Sequence, residues 1–422
     1  MNPDITTDIL VCGAGPAGFA AAASASRCGA KVLLVERYGF PGGAAAAGLV
    51  NPFMVSSSNG EMLVKGVFEE ITDELKARGA CADGELFGQP HIVFDPEALK
   101  FILLEGLEKS QVKLLLHSTV VGAMVKGDEL KGVVVSGKSG DIRIFAKAVI
   151  DATGDGDIAY LSGSAFEKGR KGDGGMQPAT LMFRIAGVDI KAMPSRDEIN
   201  KLYSAAKSKG SIRTPRENFL WFETTREGEI HVNSTRVPKV DGTDVHDLTK
   251  AEIEGRKQVE NLFSFLKKGV TGFENSYISY VAPQVGIRET RRITGEYVLT
   301  GDDVLAGKKF DDPVAKCNYP IDIHSPDGKS TTFRQLGPAV YYEVPYRCMV
   351  PVKTENLLVT GRAVSADHEA LSSLRVMPTC MAMGQAAGVA AAIAVKKNIK
   401  LRKVPYEDLR KVLNEQGADM RQ

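Results

Sequence analysis
Apolar and polar positions in the first third of the chain predict a strand–helix–strand opening. Ile5–Cys12 is a short apolar run and reads as a buried strand; Pro16–Arg27 reads as a helix of small residues, and Lys31–Glu36 (KVLLVE) as a second strand. A glycine-rich turn follows over Gly39–Gly48. Glu61–Arg78 and Pro96–Lys109 carry the helical period, the second with Asp95 as its N-cap. Val112–Val121 reads as a strand, Glu129–Ser136 and Asp141–Phe145 as a hairpin, and Ala148–Ala152 (AVIDA) as a buried strand that ends at Thr153–Gly154. After about Gly163 the texture changes. Charged and aromatic residues become denser, with strand patterns at Thr180–Ile185, Glu229–Asn233 and Ser276–Tyr280 and a helix over Thr249–Lys267. Around Tyr341 the first texture returns. Asn356–Thr360 (NLLVT) is another buried strand before Gly361, Pro378–Val395 a second Ala/Gly-rich helix, and Tyr406–Gln416 a polar closing helix.

The expected fold class is α/β: a Rossmann-like nucleotide-binding domain built from both ends of the chain, with an inserted β-rich substrate domain. The boundaries predicted from the texture are 1–165, 166–336 and 337–422. A length of 422 residues agrees with two or three domains. With 43% hydrophobic and 25% charged residues, the composition excludes a disordered, fibrous or membrane-spanning chain. Ile9–Ala30 is apolar, but Asp4 and Asp8 precede it and Gly13, Gly15, Pro16, Gly18 and Arg27 interrupt it, so it reads as neither a signal peptide nor a span. A formal charge of +1 argues against nucleic acid as a partner. The six cysteines form no CxxC pair and have no histidine at zinc spacing. They predict no metal site, reduced thiols and a cytoplasmic location. The expected partners are a small-molecule substrate and an electron acceptor or donor, with no membrane; the oligomeric state stays open.

Gly13-Ala14-Gly15-Pro16-Ala17-Gly18 is G-x-G-x-x-G between a strand and a helix, the context this motif needs. Its glycines allow a tight turn, close approach of a pyrophosphate and close helix packing. The helix N-terminus then favours the phosphate charge. Glu36 ends the next strand 18 residues after Gly18, where a carboxylate accepts ribose hydroxyls. Such a motif serves either FAD or NAD. Arg37 with Gly42 and Gly43 resembles the extended FAD pattern of glutathione-reductase-like flavoproteins. The strand ending Ala152-Thr153-Gly154 resembles their second motif, and Val120 and Val121 their adenine-contacting segment. Asn356–Gly361 followed by the helix carrying Gly384, Gln385 and Ala386 resembles their C-terminal FAD motif. There Gly361-Arg362 stands where many of them have Gly-Asp, which leaves the ribityl contact unassigned.

Four longer stretches narrow the resemblance: Gly286–Gly295 (GIRETRRITG), Tyr319–His324 (YPIDIH), Val344–Val350 (VPYRCMV) and Arg375–Gly388 (RVMPTCMAMGQAAG). Together they resemble the broad bacterial FAD-dependent oxidoreductase family, distantly similar to fumarate reductase flavoprotein subunits. The resemblance implies the fold and FAD over nearly the whole chain; it implies no substrate. Members of the fumarate reductase group with covalent FAD attach it through a histidine in the segment matching Gly42–Gly48, which has none here, so the FAD is expected to be non-covalent. No second G-x-G-x-x-G follows a strand, so electrons are expected to pass directly between substrate and flavin.

Outside these motifs, Arg288, Arg291 and Arg292 form the densest cationic cluster. On a strand, Arg288 and Arg292 share one face and Arg291 lies on the other with Glu289. They read either as a clamp on a substrate carboxylate or as a salt-bridged strand, and the resemblance favours a clamp at Arg288. Asp322 and His324 share a face if extended, and read either as an oriented acid–base pair or as a surface loop. His368, with Arg375 nearby, lies beyond the C-terminal strand where ligands gather and is an equal candidate for proton transfer. Cys380 reads as a packed small residue, Gln177 as the end of a glycine-rich loop, Gly169–Gly175, that closes over the site. His91, His117, His231, His246 and Trp221 read as structural or surface residues. The expected function is oxidation or reduction of a small polar, carboxylate-bearing molecule. The alternatives are a non-catalytic FAD-fold binding protein and a flavin-dependent tRNA-modifying enzyme.

Overall fold
The computed structural model describes residues 3–420 apart from 59, 87, 338 and 339. Its main sheet runs, in spatial order, Lys113–Leu115, Val32–Val35, Ile5–Cys12 and Gly140–Asp151, all parallel. Gly140–Asp151 then serves two partners. Its first half pairs antiparallel with Glu129–Gly137, which pairs in turn with Thr119–Lys126. Its last three residues pair in parallel with Leu357–Val359. The hairpin strand and the AVIDA strand expected separately are therefore one element of twelve residues. The expected strand over Val112–Val121 is instead two, broken where His117 takes a φ of 54°.

Register puts Cys12 opposite both Val35 and Asp151, and Asp151 opposite Val359. The carboxyl ends of these strands thus lie level, and the residues that follow them (Gly13, Glu36, Ala152, Thr360) share one edge, the usual ligand edge of such sheets. Above it, helix Pro16–Arg27 packs on helix Met377–Lys397 nearly backbone to backbone. A Cβ on Gly384 would lie 2.1 Å from the Ala17 carbonyl oxygen, and one on Gly388 would lie 2.1 Å from that of Ala21. Met377–Lys397 is long and apolar enough to cross a bilayer, but 83% of its apolar window is buried inside the fold. The helix expected over Glu61–Arg78 begins only at Val67. Gly66, at φ 66°, turns the chain, and Glu61–Met62 is paired instead with Ser57–Ser58.

A second core holds an antiparallel sheet ordered Trp221–Glu223, Ile230–Val232, Phe183–Ala186, Tyr277–Val281. Helices Arg196–Ser208 and Val245–Gly269 pack into it, the second containing the expected helix Thr249–Lys267. The chain leaves and re-enters the first body through one ladder, in which Phe166–Lys168 pairs with Arg291–Ile293. Leu299, Val304, Val314 and Ile321 already belong to the first core. The inserted body therefore ends near residue 290, well before the expected boundary at 336.

Candidate functional site
Gly13 and Gly18 of the first turn have a steric reason. Gly13 has φ 97°, and a Cβ there would lie 2.5 Å from the Ala152 carbonyl oxygen; on Gly18 it would run into Gly13. Gly43, at φ 47°, sits with its Cα face against Gly15, so a Cβ there would come 2.6 Å from Gly15 Cα. Gly15 caps helix Pro16–Arg27 without any side-chain hydrogen bond, leaving the helix N-terminus open to a phosphate. Gly42, at φ 120°, caps the short helix Gly43–Ala46 and donates its N–H to the Ala14 carbonyl at 2.7 Å. Glu36 is buried; its carboxylate accepts from the Ala14 N–H at 2.7 Å and the Tyr38 N–H at 3.0 Å. Two backbone bonds fix the carboxylate, and its remaining lone pairs can take ribose hydroxyls. Ser118 N–H donates to the Glu36 carbonyl, which brings the strand bearing Val120 and Val121 beside it.

At the far end, Thr153 caps the buried Asp151: its N–H and hydroxyl both donate to Oδ1, and the Ala159 N–H donates to Oδ2. Burial pushes the Asp151 carboxyl up to about 6, against these hydrogen bonds. Gly361, at φ 74°, leads into Arg362, whose guanidinium covers Gly154 and pairs with Asp155 at 2.7 Å and the Thr290 hydroxyl at 3.1 Å. The carboxylate at this point thus comes from Asp155, while position 362 supplies the cation. Helix Met377–Lys397 starts at Val376 with no side-chain cap, a second open N-terminus. Thr360 Oγ1, Ser365 Oγ and Thr379 Oγ1 are buried here with no hydrogen-bond partner among the described residues. A cradle that any Cβ would fill, an oriented ribose carboxylate, two open helix N-termini and unpartnered hydroxyls fit FAD.

Sequence expectations for this region change at Gly384, Gln385, Ala386 and Arg37. Gly384, Gln385 and Ala386 lie two turns inside their helix. Gly384 packs on Ala17, and Ala386 is fully buried. Gln385 accepts from Val67 N–H at 3.2 Å and donates to the Gln416 carbonyl at 3.2 Å. Gly384 closes the helix pair, Gln385 ties the helix to Val67 and Gln416, and the ligand-facing end of the helix is Met377–Cys380. Arg37 stacks on Tyr38 and reaches Gln284 at 3.1 Å, across to the second body. Cys380 is buried, and burial pushes its thiol up to about 12, so it is a packed residue as expected.

The arginine trio separates. Only Arg291–Ile293 is strand, so Arg288 and Arg292 do not share a strand face. Arg291 stacks on Tyr160 at 4.1 Å and pairs with Asp157 at 2.9 Å. Arg292 is spent on Glu289 and on the carbonyls of Ala366 and Gly169. Arg288 alone turns toward the junction between the bodies. It donates to the Pro178 carbonyl at 2.7 Å and to Thr180 Oγ1 at 2.6 Å. Burial, together with Arg375, Arg236 and Arg216, holds its guanidinium well below the ordinary range. Burial likewise pushes Arg216 down to about 10.

Asp322 and His324 do share a face, with Oδ2 to Nε2 at 3.5 Å, and both are buried. Burial opposes the Asp322 charge, but His324, Arg375 and Arg288 outweigh it and hold the carboxyl below its ordinary range. His324 is pushed down to about 3, chiefly by burial, and Arg236 Nη2 lies 2.9 Å from its Nδ1. An arginine only donates, so Nδ1 is an occupied acceptor and His324 is a neutral structural link, not the proton shuttle expected of it. His368 differs. Its Nδ1 lies 2.9 Å from Glu289, and its Nε2 is buried without a partner among the described residues.

Gln177 joins the two groups. Its N–H donates to Glu289 at 3.2 Å, and its Oε1 accepts from Arg375 and from the His324 N–H, each at 3.2 Å. The glycine loop before it is tied down by Arg292 on Gly169 and by Arg170 on Asp173. Sequence reading missed Arg216, Arg236 and Glu289 as members of this group.

Comparisons with known proteins agree with this cradle. A model of the FAD dependent oxidoreductase family matches residues 8–413. Thiamine thiazole synthase from Methanococcus aeolicus is 28% identical over 166 residues, 37% of this chain and 58% of that relative's length. The chain therefore spans under two thirds of the curated relatives it matches. Among solved structures, a geranylgeranyl bacteriochlorophyll reductase-like protein from Thermoplasma acidophilum superposes with a TM-score of 0.51 at 13% identity, covering 99% of this chain and 85% of its own. The myxobacterial chondrochloren halogenase gives 0.51 at 13% identity, covering 98% and 80%. These two share the fold. The family match spans nearly the whole chain: the chain belongs to the FAD dependent oxidoreductase family.

Proposed function
We propose that this flavoenzyme oxidises or reduces a small polar substrate bearing a carboxylate, and that Arg288 and Arg375 bind that carboxylate. One observation carries the reading: four buried or half-buried guanidiniums (Arg216, Arg236, Arg288, Arg375) gather around Asp322, with Glu217 at the rim as the only other acid in direct contact among the described residues. Burying cations in excess of anions is costly, and an anionic ligand offsets it. Arg236 uses both Nη1 and Nη2 on Glu217, Gly328, His324 and Thr331 and keeps only its Nε without a partner among the described residues, so it mainly shapes the site. Arg375 Nε is buried and unpartnered, and Arg288 bonds the protein through Nη1 alone. These two have donors left for a ligand, as does Arg216, whose buried Nη1 has no partner among the described residues.

Bound FAD supplies two-electron chemistry, accepting or returning a hydride at a substrate carbon. Gly13, Gly15, Gly18 and Gly43 would cradle its pyrophosphate, Glu36 its adenosine ribose, and the Met377 helix N-terminus its flavin ring. The FAD is proposed to be non-covalent, so acid precipitation should release the flavin to the supernatant, and the enzyme to act in the cytoplasm. The test is the visible spectrum of the purified holoenzyme, titrated anaerobically with pools of small carboxylates. Bleaching or a spectral shift with an acid pool, lost in Arg288→Ala with FAD retained, supports the reading. Arg288→Ala should weaken the ligand by about 2–3 kcal/mol, the usual worth of a hydrogen bond to a charged group. Loss of FAD in that variant makes Arg288 a cofactor or structural residue and refutes its role.

A further inference from the structure
We infer that the substrate carries an O–H or N–H donor beside its carboxylate, and that His368 Nε2 takes that group's proton, with Glu289 as the positioning residue. The carboxylate half rests on the reading above; the donor half rests on a separate set of contacts.

The Glu289 side chain is wholly enclosed. Its oxygens face Arg292 Nη1, the Gln177 N–H at 3.2 Å and His368 Nδ1 at 2.9 Å. Arg292 cannot move off it, because Nε holds the Ala366 carbonyl at 3.0 Å and Nη2 that of Gly169 at 2.8 Å. An enclosed carboxylate beside a fixed guanidinium is ionised and can only accept. Nδ1 must therefore carry the imidazole proton, which leaves Nε2 of the neutral ring a bare acceptor. That nitrogen is buried and has no partner among the described residues, on a side chain only 9% exposed.

His368 also belongs to the anion site. Its helix, His368–Leu374, runs into Arg375 and packs on the strand Ile321–His324, where the Asp322 N–H donates to Ser372 Oγ at 3.1 Å. Gln177 bonds both Glu289 and Arg375. A buried acceptor is satisfied in nearly every folded protein, so one left bare beside donors for a carboxylate calls for a ligand that donates. Hydroxy acids and amino acids have this pairing; plain acids lack the donor.

The chemistry balances without another reactant. In oxidation, the substrate O–H or N–H proton passes to Nε2 as the hydride on the adjoining carbon leaves for the flavin. The C–O or C–N bond becomes double, the substrate loses two electrons and two hydrogens, and the flavin gains the hydride. Reduction runs the same transfers backwards.

The test titrates the FAD holoenzyme, by flavin absorbance, with two- to six-carbon acids and their hydroxy and amino counterparts. The hydroxy or amino member should bind about tenfold more tightly than its plain acid, since the plain acid leaves Nε2 unpaired. His368→Phe should erase that advantage and spare the plain acid. Independently of any ligand, ¹⁵N-histidine NMR of the wild-type holoenzyme should show a neutral imidazole protonated at Nδ1. Glu289→Gln should lose that tautomer. Equal binding of plain and hydroxy acids, still dependent on Arg288, would refute the donor and leave the carboxylate reading standing. Binding of no acid refutes both. A His368 protonated at Nε2 in the wild-type spectrum refutes the inference even where acids bind.

Discussion

The contact between Gly43 and Gly15 gives the sharpest test of the cofactor cradle. Gly43→Ala places a methyl group 2.6 Å from Gly15 Cα, whereas carbon atoms in folded proteins stay beyond 3.0 Å. Nothing flexible stands between them, so one backbone must retreat by about half an ångström. Gly15 is the N-cap of helix Pro16–Arg27, and the N–H groups meant for the pyrophosphate retreat with it. Two charge-assisted hydrogen bonds degraded at about 1.5 kcal/mol each amount to about 3 kcal/mol, or about a hundredfold in FAD affinity. The positive φ adds about 1 kcal/mol of strain in either state of ligation. Gly29→Ala is the control. Its φ is 85°, and nothing lies within 4 Å of its Cβ position. It should lose about 1 kcal/mol of stability and leave FAD affinity unchanged. The assay is FAD binding to refolded apoprotein by flavin fluorescence, with urea unfolding of both variants. Equal FAD affinities in Gly43→Ala and Gly29→Ala would refute the cradle.

Two further predictions concern buried ionisable groups. Asp151 is raised to about 6 from an unfolded value near 3.8, so its charge costs stability above pH 6 and nothing below about pH 4. Asp151→Asn should therefore gain on the wild type as pH rises from 4 to 6, by up to about 3 kcal/mol, whatever constant offset its amide adds against the Ala159 N–H. Urea unfolding at pH 4 and pH 7 checks this, and an unchanged difference between them would contradict it. Alkylation by iodoacetamide near neutral pH should be confined to the partly buried Cys28 and Cys81, because burial raises Cys12, Cys348 and Cys380 strongly. Peptide mass spectrometry showing a modified Cys380 in folded holoenzyme would count against its burial.

The cofactor half of the site was legible because its requirements are local. Gly13 and Gly18 are demanded by a turn that closes within six residues, and Glu36 by a strand that pairs directly with Ile5–Cys12. Such constraints leave their mark at fixed spacing. Element ends were less legible. Gly66 stops an apparently continuous helical pattern through its φ, and His117 breaks an apparently continuous strand in the same way. Nothing in a pattern of apolar residues encodes a positive φ at histidine. Phe166–Lys168 forms the outgoing half of the ladder and Arg291–Ile293 the returning half, so the end of the insertion lies well before the boundary that texture suggests. The stretch from Leu299 to Ile321 is polar enough to resemble the insertion, yet its apolar residues pack into the first core.

The substrate half shows why adjacency misleads. Arg288, Arg291 and Arg292 stand within five positions, and a shared role is the natural reading. One turns to the junction, one stacks on Tyr160, and one locks Glu289. The partners that give Arg288 its character come from elsewhere: Arg216 and Arg236 from the inserted body, Asp322 from the strand that follows the return, Arg375 from the end of helix His368–Leu374. Each is an isolated charge in its own neighbourhood, where a solvated position is the better expectation for any single arginine. Only burial distinguishes them, and burial is a property of the assembled fold. The same holds for the two histidines. By spacing and position in the chain, His324 beside Asp322 and His368 beside Glu369 are equal candidates. In the fold, Arg236 occupies the acceptor of His324, while Glu369 turns away to Arg334 and Glu289, 79 positions distant, takes its place on His368. What decides which histidine can move a proton is therefore the identity of the group on the far nitrogen: a cation there silences the ring, and a carboxylate there frees it.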